Sequence, residues 1–334
     1  MNILVFSWRD PKHPLAGGAE QVMNEHMKGW VGAGHKVTLF SSKIKSLPKV
    51  EVVNGVKMVR GGYQYLGVQL AGFFHYIRSR KNIDLVVDQF HGIPFFTPLY
   101  VFKPKLAVIQ EPARKVWFLN HLPFPINYVV GLTGYLLEPL IFTLYKSTAF
   151  MTGSLSAKRD IIKLGIPSEK ITIVPHGVIA RKPKPYPQKE KIKTLVFLGV
   201  LSKDKGIEDA IECFRLLTKK ENYNFLIIGK AETTGYRKRL SEIVERVGLK
   251  DKTKFWGFVS QEKKFNLLAR GHILVNPSVH EGWGLVNIEA NAMGTPVVAY
   301  NSPGLVDSVK NGLSGIVLRK NTPMEMAKVI EKLI

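Results

Sequence analysis

Short apolar runs alternate with longer amphipathic segments along the whole chain, and this rhythm restricts the fold more than any other feature. Residues 3–7, 36–41, 56–60, 85–88, 106–110, 149–152 and 171–174 form one series of strand-like runs. Residues 194–198, 225–228, 254–256, 273–276, 296–299 and 315–318 form a second. Helical periodicity fills most of the gaps, as at 19–33, 157–164, 207–219, 236–247 and 262–269. Such alternation predicts parallel sheets covered on both faces. Between the series, residues 180–192 carry prolines and many charges, which predicts a stiff, solvated connector. The domain boundary is placed there, with a first domain over 1–185 and a second over 186–334. A length of 334 residues suits two domains, at roughly 100–200 residues each.

Composition narrows the setting. The single cysteine, Cys213, excludes an intrachain disulfide and falls in an apolar helical pattern, where it reads as a small core residue. The first residues lack a basic region ahead of their apolar run and read as a strand, not a signal peptide. At its other end Thr322, Pro323 and Glu325 mark a helix start, and Met326, Ile330 and Leu333 share one face. The net charge of +22 draws the chain toward polyanions: nucleic acid, anionic lipid or phosphorylated substrates. The alternative is a solvated, lysine-rich surface of a protein from a hot environment. No zinc finger or aromatic-basic RNA-binding pattern is present, so nucleic acid is not expected as a partner.

Several motifs fall at strand–helix turns. Glu281 and Glu289, separated by seven residues, lie in Ser278-Val-His-Glu-Gly-Trp-Gly-Leu-Val-Asn-Ile-Glu-Ala290, after the apolar run at 273–275. Glycines at such a turn let backbone amides approach a phosphate at a helix N-terminus, where the dipole favours negative charge. Carboxylates beside that site can hold hydroxyls, a pairing that suits a nucleotide sugar. The plainer alternative is a surface loop followed by a helical glutamate. Gly17-Gly18-Ala19-Glu20 opens a helix after a loop, Trp8 to Leu15, long enough for a flap. Gly199-Val-Leu-Ser-Lys-Asp-Lys-Gly206 places Lys205 at another helix start, as a phosphate cation or as an ordinary exposed lysine. His91 follows the run at 85–88, at the sheet edge where open α/β folds bind ligands. His121 is a rival with weaker placement, and His176 reads as a turn residue near the hinge. No spacing of Asp, Cys or His suggests a metal site, and no cofactor is expected.

Glu281-Gly-Trp-Gly-Leu-Val, then Glu289-Ala, Gly294-Thr-Pro-Val-Val-Ala299, Gly304 and Asn311-Gly-Leu-Ser-Gly315, taken in order, resemble glycosyltransferase family 4. Gly17-Gly-Ala-Glu20 and Gly34-His-Lys-Val37 extend the resemblance into the first half. It implies a GT-B fold: two Rossmann-like domains with parallel sheets and an interdomain cleft, the first binding the acceptor and the second the nucleotide-sugar donor. The implied activity is transfer of a hexose from a nucleoside-diphosphate sugar, with retention of configuration and without metal. Catalytic roles would fall to Glu281, His91 and Lys205. Donor contacts would come from Gly17, Gly18, Lys205, Glu281, Gly284, Leu285, Val286 and Glu289, with Glu289 on the ribose. Val200 departs from the pattern, since an arginine is usual there, and Lys203 is a candidate replacement. Family members usually continue past the position of Ile334 with a helix that crosses back. A non-catalytic nucleotide-sugar-binding subunit and a GT-B epimerase are the alternatives.

Residues 122–145 are nearly uncharged and approach the length of a membrane span, about 20 residues. Pro123, Pro125, Glu138 and Pro139 interrupt them. They can be buried in the first domain, rest as an apolar patch on an anionic membrane, or span it. Arg114, Lys115 and Lys146 flank them, and the apolar stretch 65–77 is likewise followed by Arg78, Arg80 and Lys81. A cytoplasmic protein, peripheral on the inner membrane face and acting on a lipid-linked acceptor, is the expectation.

Overall fold

The computed structural model describes residues 1–14, 16–64, 67–90, 92–119 and 122–334. They divide into two compact units, Met1–Pro175 and His176–Ile334.

In the first unit the elements run β1 (Asn2–Phe6), α1 (Gly18–Gly32), β2 (Lys36–Ser41), β3 (Val50–Val53), β4 (Val56–Arg60) and α2 (Val68–Ser79). They continue with β5 (Leu85–Phe90), β6 (Lys105–Ile109), α3 (Ile126–Leu144), β7 (Ala149–Thr152), α4 (Leu155–Lys163) and β8 (Ile171–Ile173). The eight strands form one sheet in the order β3-β4-β2-β1-β5-β6-β7-β8. Every run of the first series forms a strand. The addition is β3, which pairs antiparallel with β4 at the sheet edge. Asn54 and Gly55 join the two with φ of 50° and 79°, the left-handed pair that a two-residue hairpin requires.

Alternation along the strands assigns each helix a face. Ile3, Val5, Val37, Leu39, Val87 and Val108 meet Met23 and Met27 of α1. Leu4, Phe6, Phe40 and Val86 meet Val68 and Tyr76 of α2. Phe90, Ala107, Ile109 and Phe150 meet Phe142 and Tyr145 of α3. Phe6 is in register with Asp88, Asp88 with Ala107, and Ala107 with Phe150. These residues share one face, so α2 and α3 lie side by side on it, opposite α1.

Two buried acids anchor the loops of this unit. Asp88 receives the hydroxyls of Tyr145 at 2.5 Å and Thr97 at 2.8 Å. That ties the β5–β6 crossover to the end of α3. Burial pushes the Asp88 carboxyl above the ordinary range, against the pull of these donors. Asp10, fully buried, takes Arg60 Nε at 2.5 Å, and Arg60 also reaches Glu51. With Trp8 Nε1 donating to Ile93 O at 2.6 Å, Asp10 pins the first half of the loop expected to act as a flap. Leu15, at its end, lies outside the described residues.

In the second unit the order is β9 (Lys193–Leu198), α5 (Ile207–Thr218), β10 (Tyr223–Ile228), α6 (Thr234–Arg246), β11 (Thr253–Gly257) and α7 (Gln261–Arg270). It continues with β12 (Ile273–Asn276), α8 (Leu285–Ala292), β13 (Val297–Ala299), α9 (Leu305–Ser308), β14 (Gly315–Val317) and α10 (Pro323–Leu333). Six parallel strands lie in the order β11-β10-β9-β12-β13-β14. The order reverses between β9 and β12. The crevice beyond the strand ends at such a switch point is where open α/β sheets hold ligands. Cys213 is buried in the core and Thr322 caps α10, both as the sequence predicts. The connector is fastened to this unit: Tyr186 donates to Met293 O, Lys189 Nζ reaches Thr295 Oγ1 at 2.9 Å, and Glu190 N donates to Arg270 O at 3.0 Å. These bonds explain why the compact units divide ahead of it.

The Arg60–Asp10 pair yields a stability test. Arg60→Met strands a buried carboxylate and is expected to cost about 3–5 kcal/mol. Adding Asp10→Asn removes the charge and should recover at least half of that loss. Urea unfolding of both variants checks this, and equal losses in the single and double variants would show that the pair does not act electrostatically.

Candidate active site

The turns after β9 and β12 approach each other backbone to backbone because glycine occupies the crowded positions. Gly206, at φ +69°, precedes α5, and a Cβ there would lie 2.3 Å from Pro277 O. Gly304, at φ +77°, comes so near the β12–α8 loop that a Cβ would lie 2.0 Å from Glu281 O. Two backbone bonds hold the loop in this slot: Val279 N to Asp204 O at 2.8 Å and Glu281 N to Pro303 O at 3.2 Å.

That clamp presents Glu281 to Lys205. Lys205 Nζ lies 2.9 Å from Glu281 Oε1 and 3.6 Å from an Asp204 oxygen. Ser278 Oγ donates to the same Glu281 Oε1 at 3.0 Å. Both contacts use Oε1. The predicted Lys205 and Glu281 therefore meet at the switch point, although 76 positions separate them (281 − 205).

Gly284, at φ +81°, is the N-cap of α8, and the amides of Leu285 and Val286 open the helix without intrahelical acceptors. Under this turn runs a buried amide chain. Asn276 Nδ2 donates to Asn287 Oδ1 at 2.8 Å, and Asn287 Nδ2 to Ser308 Oγ at 2.9 Å. It fixes the first turn of α8 against β12 and α9. Glu289, one turn further on and buried, is paired with Lys264 of α7 at 2.5 Å. Asn276, Ser278, Asn287, Ser308 and Lys264 were not singled out from the sequence, because their roles rest on partners in other elements.

Glu232 is a further addition. Its backbone N–H donates to Leu201 O at 3.3 Å, which sets it beside the β9–α5 turn. It sits at the exposed rim. Even so, the surrounding loops remove water from its carboxyl and the Asp204 charge adds to this, pushing it up to about 7 against the pull of Lys205. Val200 is exposed on the same turn.

In the first unit Gly17 caps α1, and its amide already donates to Glu20 Oε2 at 2.7 Å. The first-turn amides free to meet an anion there begin with Gly18. His91 and His121 lie outside the described residues. His176 is buried and is the first residue of the second unit. Among the described residues no group of three or more His, Cys, Asp or Glu is placed to hold a metal ion.

Two Rossmann-like α/β units, the second with a charged pair at its switch point, have the architecture of the GT-B class of glycosyltransferases. The family model described as Glycosyltransferase Family 4 matches residues 16–182, and the one described as Glycosyl transferases group 1 matches residues 178–334. The chain belongs to glycosyltransferase family 4. It is 27% identical over 359 aligned residues to an uncharacterised glycosyltransferase of Methanocaldococcus jannaschii, covering 100% of this chain and 89% of that one. Sucrose-phosphate synthase of Thermosynechococcus elongatus superposes with a TM-score of 0.82 at 16% identity, over 99% of this chain and 89% of that one. Anabaena HepE, solved in complex with UDP-glucose, does so with a TM-score of 0.75 at 18% identity, over 99% and 89%. At these identities the two structures establish the fold.

The clamp on Glu281 is testable through its glycine. Gly304→Ala combines a strained φ with a close approach to Glu281 O, and is expected to cost about 1–3 kcal/mol. Gly235→Ala in α6, where a Cβ meets nothing within 4 Å, should leave stability unchanged or raise it by roughly 0.5–1 kcal/mol. Thermal melts of the two variants give the comparison, and equal behaviour would show that the Gly304 backbone is not tightly held.

Proposed function

We propose that this chain transfers a hexose from a nucleoside-diphosphate sugar to a lipid-linked acceptor, with retention of configuration and without a metal ion. The observation that carries this is the 2.9 Å pair of Lys205 and Glu281 at the switch point of the second sheet. A departing diphosphate gathers negative charge as the bond to the sugar breaks. Lys205 and the amides of Leu285 and Val286 are fixed before that charge appears, so they stabilise it with little reorganisation. Glu281 Oε2 accepts from sugar hydroxyls, while Oε1 is held by Lys205 and Ser278. Glu289 takes the ribose through the oxygen not paired with Lys264. In the first unit, the start of α1 at Gly18 is a second anion site, and His91 is assigned to orient the sugar. The UDP-glucose bound by the structurally similar Anabaena protein supports a donor of this class. The enzyme works in the cytoplasm, peripheral on the inner membrane face, where such an acceptor is presented.

A non-catalytic nucleotide-sugar-binding subunit is the second reading, favoured by Val200 in the place where an arginine is usual. Turnover separates the two. Transfer should continue in excess chelator, and Glu281→Ala and Lys205→Ala should each lower it by at least about tenfold, roughly 1.4 kcal/mol of barrier, with unfolding midpoints unchanged. Full turnover in both variants would remove the proposed site, and loss of transfer on chelation that Mg²⁺ restores would remove metal independence.

Glu232 adds a pH dependence. Below about 7 its carboxyl is neutral, and above it a carboxylate stands near Lys205 and repels a diphosphate. Affinity for UDP-glucose should therefore fall as pH rises through that value, and Glu232→Gln should flatten the profile. Calorimetric titration across pH 6–8, roughly the window of this group, measures it. A profile identical in the variant would assign the titration elsewhere.

A further inference from the structure

We propose that the α2–α3 face of the first unit is a monotopic docking surface that lies in the interface of an anionic lipid bilayer. The helix α3 has a divided character. Its inner side packs on the protein: a Cβ on Gly131 would lie 2.7 Å from Phe118, one on Gly134 would lie 2.4 Å from Trp117, and Phe142 is in the core. Its only charged residue, Glu138, also turns inward and accepts the backbone N–H groups of Ala113 at 2.7 Å and Arg114 at 2.9 Å. The outer side presents Leu132, Leu136 and Leu140, exposed by 51%, 60% and 63%. Helices on the surface of a water-soluble domain ordinarily put polar groups there.

The neighbouring elements repeat this pattern. On α2, Leu70, Phe74 and Ile77 are exposed at helical spacing. Between the helices, the crossover held by Asp88 projects Phe102, which is 91% exposed. Because α2, this crossover and α3 all cover one sheet face, their outward residues form a shared apolar surface rather than scattered singles. In the second unit the exposed large apolar residues, such as Phe258 and Leu313, are separated along the chain.

Charge selects the occupant. Arg78, Arg80 and Lys81 follow the α2 stripe, Lys103 follows Phe102, and Lys146 follows α3. No acidic residue occurs from 52 to 83 or from 112 to 137. A second copy of this chain would bring like-charged rims together, whereas an anionic headgroup layer complements them. A spanning role conflicts with the burial of Phe142 and Glu138. The helix lies along the surface with its leucines at the headgroup–acyl boundary, as amphipathic interfacial helices do. The lipid character of the acceptor rests on the transfer function proposed above; the docking surface does not.

Co-sedimentation of the full chain with phosphatidylglycerol vesicles tests the surface. Binding is expected at low salt, at least about tenfold weaker to phosphatidylcholine vesicles, and weakened by salt as the screening length shortens to about 8 Å at physiological ionic strength. Leu136→Asp with Leu140→Asp changes exposed positions only, and should lower vesicle binding at least about tenfold with an unchanged thermal midpoint. No binding to anionic vesicles at low salt would overturn the proposal, as would undiminished binding by the double variant or resistance to carbonate extraction. Self-association abolished by the double variant, without vesicle binding, would assign the face to a second copy. Calorimetry with UDP-glucose on the same preparations keeps the questions apart: intact nucleotide-sugar binding without vesicle binding removes the docking surface alone, and the reverse removes the donor site alone.

Discussion

The close approach of the β12–α8 loop to its neighbours is the constraint on which the second unit's site depends. Glu281 is placed by main chain on both sides, bonded to Pro303 O and crowded by Gly304. Its loop is also bonded to Asp204, the residue before Lys205. The lysine and the glutamate therefore belong to one backbone framework, and their separation is set before any ligand arrives. A pair held only by side-chain torsions would spend conformational entropy each time it assembled. Here the glycines carry that cost in the fold.

The electrostatic balance around Lys205 follows from the same framework. Two carboxylates, Asp204 and Glu281, lie against one ammonium, and Glu232 joins them at the rim. The cluster is locally rich in negative charge inside a chain that carries +22 overall. A net charge of this sign attracts anions from a distance, while carboxylates repel them at close range.

Much of the fold was legible in the sequence because parallel sheets write themselves as apolar runs separated by helical periods. The edge strand β3 was missed although Asn54-Gly55, a strong hairpin signal, stands beside it. Alternating exposure along β3 lacks the continuous apolar character that marks a central strand. At the site, Glu281 and Lys205 were visible because motif and strand end coincide. The Asn276–Asn287–Ser308 chain was not, since its polar residues acquire a role only when β12, α8 and α9 meet. For residues 122–145 the sequence left burial, surface contact and spanning open. That Glu138 turns inward to the amides of Ala113 and Arg114 is a fact of the fold that no periodicity encodes.

The connector has a consequence for how the chain can be cut. Its later part is stitched to the second unit through Tyr186, Lys189 and Glu190, while Arg181 and Lys182 are exposed ahead of it. Lys182 and Lys184 each precede a proline, and trypsin does not cleave such bonds readily. Among the basic residues ahead of the stitched part, the Arg181–Lys182 bond is therefore the one open to a trypsin-like protease. Cleavage there would leave the stitched segment on the carboxyl-terminal fragment, still closing over the carbonyl ends of α7 and α8 that it covers in the whole chain.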